Sequence, residues 1–411
     1  METLASATAM GPPGPLMPRL RRPTTEHGSP TLLVDHWYSH AVGHVVEALR
    51  RCQGYHACDP TLRISLVLNG ASPVELARCA PFVREVFGVP FTSFGHRAGN
   101  PSRALRTVPR DWDYVVHHPS SVDPGEARFE GMARFYDAAR RHFRARAAVG
   151  LAGQAPPAYE PHQQLRLVLP DEERTRVRAE LQGRRSIVVM PAGSGARLLY
   201  PSVTAWELVL RALEGRFPDA AIGLVGRVGS EGGRTTSGIS RGEVDALLGG
   251  RRAPLDLFDR PLLSQLAAVE AASLFVSPHT GFGFAAVAVG TPWLTIAGGD
   301  WHEYFFNGVP FYSVLPKSRE QLVFAQGREL PKLTTDEDGE GPRALVMRIG
   351  RIRENLEELV TAAALLVEER LSYPEALARY VPRLLDAYNG DWSQLYAFDG
   401  LDLATVYGSG P

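Results

Sequence analysis

Ser277-Pro-His-Thr-Gly-Phe-Gly-Phe-Ala-Ala-Val-Ala-Val-Gly-Thr-Pro-Trp293 is the stretch on which the fold turns. No Asp, Glu, Lys or Arg occurs from 271 to 299, a length that by itself suits a membrane span. Pro278, Gly281, Gly290 and Pro292 cut it into short pieces. It therefore reads as two buried strands, 274–277 and 293–296, around a small-residue helix that begins near Thr280. Unpaired N–H groups and a positive dipole end would meet where the first strand gives way to that helix, which suits a phosphate. By spacing alone, a tight strand–helix turn needing glycine explains the same residues equally well.

Outward from this segment, short β-branched and apolar runs alternate with helical patterns. Strands are expected at 31–35, 62–68, 89–94 and 114–116, with helices at 41–51 and 74–87. Prolines 156, 157, 161 and 170 mark a connection over 151–183, after which the rhythm restarts. Strands at 186–190 and 221–225 and helices at 203–216 and 262–272 follow, with a long loop over 226–252 that holds at most a short helix. Helices at 351–371 and 373–388 close the chain. A βαβα rhythm implies parallel sheets covered on both faces. The expected fold class is α/β, with two Rossmann-like domains facing across a cleft and C-terminal helices. The expected division is a disordered leader (1–30), a first domain (31–165), a second domain (166–340) and a helical extension (341–411). Ligands of such sheets lie beyond the C-terminal ends of the strands, here between the two domains.

Composition narrows the function. The 411 residues are 44% hydrophobic and 22% charged, with a formal net charge of −1. That is a globular composition without the basic surplus of a nucleic-acid binder. All but two of the 44 cationic side chains are arginine, the exceptions being Lys317 and Lys332, so one arginine is weak evidence of an anion site. Three cysteines (52, 58 and 79) and no C-x-x-C argue against a disulfide scaffold or a cysteine-rich zinc site. The Pro-, Gly- and Ser-rich first 30 residues lack the apolar run of a signal peptide. A cytoplasmic protein with no transmembrane segment is the expectation.

Three segments in order carry a resemblance. Residues 277–299 hold His279-Thr280-Gly281, a small-residue helix and Gly290-Thr-Pro292. Pro191-Ala-Gly-Ser-Gly-Ala-Arg197 leads into a helix containing Trp206, and Gly43-His-Val-Val-Glu-Ala-Leu49 opens the first helix. Together they resemble glycosyltransferase family nine, the bacterial heptosyltransferases, of GT-B fold. Departures are also visible: His279 stands where that family has Asp, Phe284 where it has His, Arg197 where it has Lys, and His44 where it has Asp.

The resemblance implies an inverting glycosyltransferase without metal or other cofactor. It would move a sugar from a nucleotide-diphosphate donor to the hydroxyl of a small molecule or glycan. Gly193, Ser194, Arg197, Gly226, His279, Thr280, Gly281 and Glu303 are then expected on the donor side. His44 is the expected base, with Asp35 orienting it or replacing it. His40, His117 and His118 are expected near the acceptor. His40 and His44 form H-x-x-x-H, but a zinc site needs further ligands. Two other readings stay open. Gly281-x-Gly283-x-x-Ala286 with Asp300 matches a dinucleotide fingerprint of NAD-dependent oxidoreductases, and a nucleotide- or sugar-binding protein without catalysis would use the same site.

Overall fold

A computed structural model describes residues 28–38, 40–90, 99–117, 130–145, 164–229, 234–297, 307–317, 333–387 and 390. Residues 1–27 of the expected leader and the prolines at 156, 157 and 161 lie outside them.

The first lobe runs β1 (Thr31–Asp35), α1 (Val42–Cys58), β2 (Arg63–Asn69), α2 (Val74–Ala77), β3 (Val83–Val89), α3 (Pro101–Ala104), β4 (Asp111–Trp112), β5 (Tyr114–His117), α4 (Glu130–His142) and β6 (Arg144–Ala145). Its main sheet is parallel, in the order β3-β2-β1-β5. Strand β1 shows why such strands are apolar throughout. Leu32 and Val34 enter one core, and Leu33 enters a second core with Trp37, Phe135 and Tyr136.

The second lobe runs α5 (Asp171–Leu181), β7 (Ser186–Val189), α6 (Val203–Arg216), β8 (Ala221–Leu224), α7 (Arg241–Gly249), β9 (Pro254–Asp256), α8 (Leu262–Glu270), β10 (Leu274–Pro278), α9 (Gly281–Ala288), β11 (Trp293–Ile296) and β12 (Phe311–Val314). A hairpin, β13 (Leu333–Thr335) with β14 (Pro342–Ala344), and helices α10 (Ile349–Glu354), α11 (Leu356–Val367) and α12 (Tyr373–Ala387) follow. The six-stranded sheet is parallel, ordered β12-β11-β10-β7-β8-β9. The order reverses between β7 and β10, as it does between β1 and β5 in the first lobe. Such switch points open the crevices in which α/β sheets hold ligands.

The expected α/β class with two Rossmann-like sheets is therefore found, with local corrections. The helix expected over 74–87 stops at Ala77, because Pro81 lies one turn on, and residues 83–89 form β3 rather than helix. The connection expected over 151–183 contains α5, which starts after Pro170 on three acids, Asp171, Glu172 and Glu173. The expected loop over 226–252 does hold a short helix, α7, opened by a Ser240–Glu243 capping box. Strands β9 and β12 were not expected, and the helix over 351–371 breaks at Asn355. The C-terminal helices belong to the second lobe: α11 and α12 pack on β12.

The lobes meet where α1 packs on α9. A Cβ on Gly43 would stand 2.7 Å from the Cα of Gly281. Backbone on both sides leaves no room to yield, so both positions require glycine. Behind this contact, Asn307 adopts a left-handed backbone (φ 58°) and joins three segments. It accepts from Leu165 N at 2.7 Å and from Arg50 of α1, and donates to the Leu165 and Val287 carbonyls.

Gly43→Ala should cost about 1–3 kcal/mol by overpacking. Gly215→Ala should be neutral or stabilising by about 0.5–1 kcal/mol, since Gly215 lies in α6 with nothing within 4 Å of an added Cβ. Urea-unfolding midpoints measure both, and equal effects of the two substitutions would dismiss the Gly43–Gly281 contact as a constraint.

Candidate functional site: a cavity between the lobes at three helix starts

A cavity of about 560 Å³ opens between the lobes. His40, Ala41 and Val42 line it from the start of α1, and Thr280, Gly281 and Phe282 from the start of α9. Pro261, Leu262 and Leu263 line it from the start of α8. The N-cap residues of these helices, Ala41, Thr280 and Pro261, make no side-chain capping hydrogen bond. Each helix therefore presents first-turn N–H groups and the positive end of its dipole to one volume.

Two loops of the second lobe shape the floor. Gly193 follows β7 and packs against Thr280, where a Cβ would meet the threonine side chain at 3.0 Å; its carbonyl accepts from Gly238 N at 2.7 Å. Gly226, after β8, has φ 153°, and a Cβ there would strike the Phe258 ring at 2.6 Å. Gln265 of α8 pins this turn, accepting from Gly226 N at 3.0 Å and donating to the Gly226 and Arg260 carbonyls.

Gly193, Ser194, Gly226, Thr280, Gly281 and His40 thus come together at the cavity. Glu303, His118 and Asp300 lie outside the described residues.

Several expected side chains are placed differently. Arg197 is absent from the cavity wall. It is ion-paired with Glu243 and, at 3.5 Å, with Glu340, beside a separate depression near Arg343. The cause is local: 197–199 form a short 3-10 turn after the Gly193–Gly195 loop, and both acids await the arginine there. Asp35 does not reach toward His44. It is fully buried at the end of β1, with Oδ2 2.7 Å from Nδ1 of His117 on the neighbouring β5. Burial raises its pKa against the lowering effect of His117. His117 is thereby held as the partner of Asp35, at the switch point of the first sheet.

His44 lies at the third position of α1, exposed, with its ring 5.5 Å from that of Tyr38. Surrounding protein, and secondarily His40, lower its pKa from the usual 6.5. His40 lines the cavity, whereas His44 stands one helical turn along, next to Gly43. His279 turns away from the cavity, edge-on to Trp293 at 6.1 Å. Burial, aided by the nearby Arg351 guanidinium, drives its pKa down to about 3, so near neutral pH it supplies no charge to a ligand.

The dinucleotide reading loses its main residue here. A Cβ on Gly283 would overlap the Trp293 ring at 2.1 Å. This glycine therefore serves packing inside the lobe. The turn also follows β10 rather than β7, the first strand of the second sheet and the usual place of that fingerprint.

Sequence reasoning missed Glu75, Glu173, Arg227, Arg234 and Arg260, all on the cavity wall. Two signals were present: Arg227 directly follows Gly226 at a strand end, and Arg260 directly precedes a helix start. Among so many arginines neither stood out. Arg260 makes a bidentate pair with Glu180 at 2.7 and 2.8 Å, and Arg227 donates to the Gly229 carbonyl at 2.6 Å. Among the described residues no three His, Cys, Asp or Glu side chains gather as a metal site, and no helix is long and apolar enough to cross a membrane.

Two parallel Rossmann-like lobes facing across a ligand-sized cleft define the GT-B architecture of glycosyltransferases. Among solved structures, the chain is similar to a glycosyl transferase of family 9 from Veillonella parvula (TM-score 0.52, 12% identity), covering 82% of this chain and 99% of that one. It is also similar to the ADP-heptose LPS heptosyltransferase II of E. coli (TM-score 0.50, 12% identity), covering 80% and 98%. The fold is that of these proteins. No protein-family model matches the sequence, and no curated protein matches it.

Arg197→Ala should change nucleoside-diphosphate affinity by no more than about two-fold, since an exposed, screened cation outside the cavity contributes little. Calorimetry measures this, and a ten-fold loss would return Arg197 to the site.

Proposed function

We propose that the protein is a glycosyltransferase. In this reading it transfers a sugar from a nucleotide-diphosphate donor to an acceptor hydroxyl with inversion and without a metal. The observation that carries the proposal is the convergence of three uncapped helix starts on one interlobe cavity that also holds Arg227, Arg234 and Arg260. Transfer from such a donor releases a diphosphate, whose negative charge grows as the glycosidic C–O bond breaks. Preorganised N–H groups and cations stabilise that charge without reorganising.

The acceptor oxygen attacks the anomeric carbon from the face opposite the diphosphate. One C–O bond forms as the other breaks, and the hydroxyl proton passes to a base. In the proposed arrangement the second lobe holds the donor and the first holds the acceptor. His44 is the proposed base, an imidazole at the start of α1 whose lowered pKa keeps it neutral at physiological pH. Asp35 is not part of this step, because its carboxylate is committed to His117. The acceptor is a small molecule or glycan, and its identity follows from the donor that binds.

A thermal-shift panel of ADP, UDP, GDP, dTDP and NAD tests the class. Stabilisation by one or more nucleoside diphosphates and none by NAD is expected, and the reverse pattern would replace the proposal with an oxidoreductase. With the nucleotide identified, donor hydrolysis or transfer gives a rate. His44→Ala should lower that rate about 10²–10⁴-fold with donor affinity preserved. The acid limb of the rate profile should have its midpoint below pH 6.5, because a base of lowered pKa stays deprotonated further into acid. A near-normal rate in His44→Ala, with the loss appearing in His40→Ala, would make His40 the base. Donor binding with no turnover, unaffected by either substitution, would indicate a binding protein.

A further inference from the structure

Glu75 and Arg234 form a bidentate pair across the cavity, with Nη1–Oε1 at 2.7 Å and Nη2–Oε2 at 2.9 Å. Glu75 belongs to α2 of the first lobe, and Arg234 to the segment between β8 and α7 of the second. Both side chains are 29% exposed, and both line the cavity. The other cavity cations are held from within their own lobe: Arg260 by Glu180 of α5, and Arg227 by the Gly229 carbonyl. Glu173, a second carboxylate on the wall, accepts from Ser264 and Arg176 of its own lobe. Arg234 is thus a guanidinium at the anion-binding end of the site whose fork is filled by a carboxylate from the opposite lobe.

A guanidinium fork matches carboxylate and phosphate equally well in geometry. A diphosphate in the cavity and the Glu75 carboxylate therefore compete for one cation, and repel each other where both are present. We propose that Arg234 is a diphosphate-binding residue and that Glu75 is its internal competitor. The donor takes Arg234 over from Glu75, and in doing so breaks an ion pair between the lobes. Donor binding is thereby coupled to the freedom of one lobe to move against the other. This inference rests on the nucleotide-diphosphate reading of the cavity. It goes further by predicting that removing an acidic wall residue improves binding.

The test is calorimetric titration of wild type, Glu75→Gln, Glu75→Ala and Arg234→Ala with ADP, UDP, GDP and dTDP. Both Glu75 variants should bind the preferred nucleotide about five-fold more tightly, the scale of a partly exposed ion pair. Arg234→Ala should bind it at least about ten-fold more weakly. In the Arg234→Ala background, Glu75→Gln should improve binding by clearly less than in wild type, because the competitor then has no cation to hold and only its charge repulsion is relieved. Unchanged or weaker binding by both Glu75 variants, where wild type binds a nucleotide, would overturn this inference and leave the class of enzyme standing. Binding of none of the four by any variant would remove both together. Binding gained only in the Glu75 variants would support both.

Discussion

The close approach of Gly43 to Gly281 is the constraint on which the rest of the structure depends. Two helices from different lobes can bring their first turns into backbone contact only where neither carries a side chain. That contact places the positive ends of α1 and α9 side by side, an arrangement their dipoles disfavour. The flanking packing supports it: Phe284 of α9 lies 3.1 Å from where a Gly43 Cβ would be, and it meets Trp293 edge-on at 6.2 Å. An anion at the junction relieves the electrostatic cost, which is why this geometry points to a charged ligand more strongly than a lone helix start would.

Two kinds of joint connect the lobes. Asn307 ties α1, through a partly buried hydrogen bond, to the segment entering the second lobe and the end of α9, through buried ones. Removing such a group strands several partners at once, so this joint is stiff. Glu75 and Arg234, by contrast, sit on the cavity wall and are partly solvated, where an ion pair contributes little net stability. A largely buried joint and a partly solvated one therefore hold the lobes together with unequal strength.

Much of the fold was legible in the sequence because parallel strands buried on both faces are continuous apolar runs, and helices between them repeat at a different period. The errors have specific causes. The pattern over 74–87 suits a helix until Pro81 is weighed, and β9 is three residues long, too short for periodicity to register. In the site, glycines announced themselves: 43, 193, 226 and 281 all reach the lobe contact or the cavity. Charged side chains did not. Arg197 and Arg234 are alike in sequence, and the difference between them is which carboxylates the tertiary structure brings near. His40 lines the cavity and His44 does not, a difference set by a helix start at Val42 that sequence alone locates only to within a residue or two.

His279 shows how a substitution at a turn redistributes charge over a whole site. An aspartate there would place a negative group at the end of β10. The imidazole is instead buried against Trp293 and stays neutral to about pH 3. Arg351 beneath it is 2% exposed, with its Nη2 donating to the Ala297 and Val314 carbonyls at the ends of β11 and β12. Burial pushes this guanidinium down to about 10, which still leaves it charged at neutral pH. The end of β10 therefore carries no negative charge at His279, and the Arg351 guanidinium lies beside the ends of β11 and β12. Among the described residues, the acidic groups of the cavity are Glu75 and Glu173 on its wall, both already engaged by partners. Helix starts and three arginines around the cavity, with these two carboxylates so engaged, give the cavity an electropositive lining.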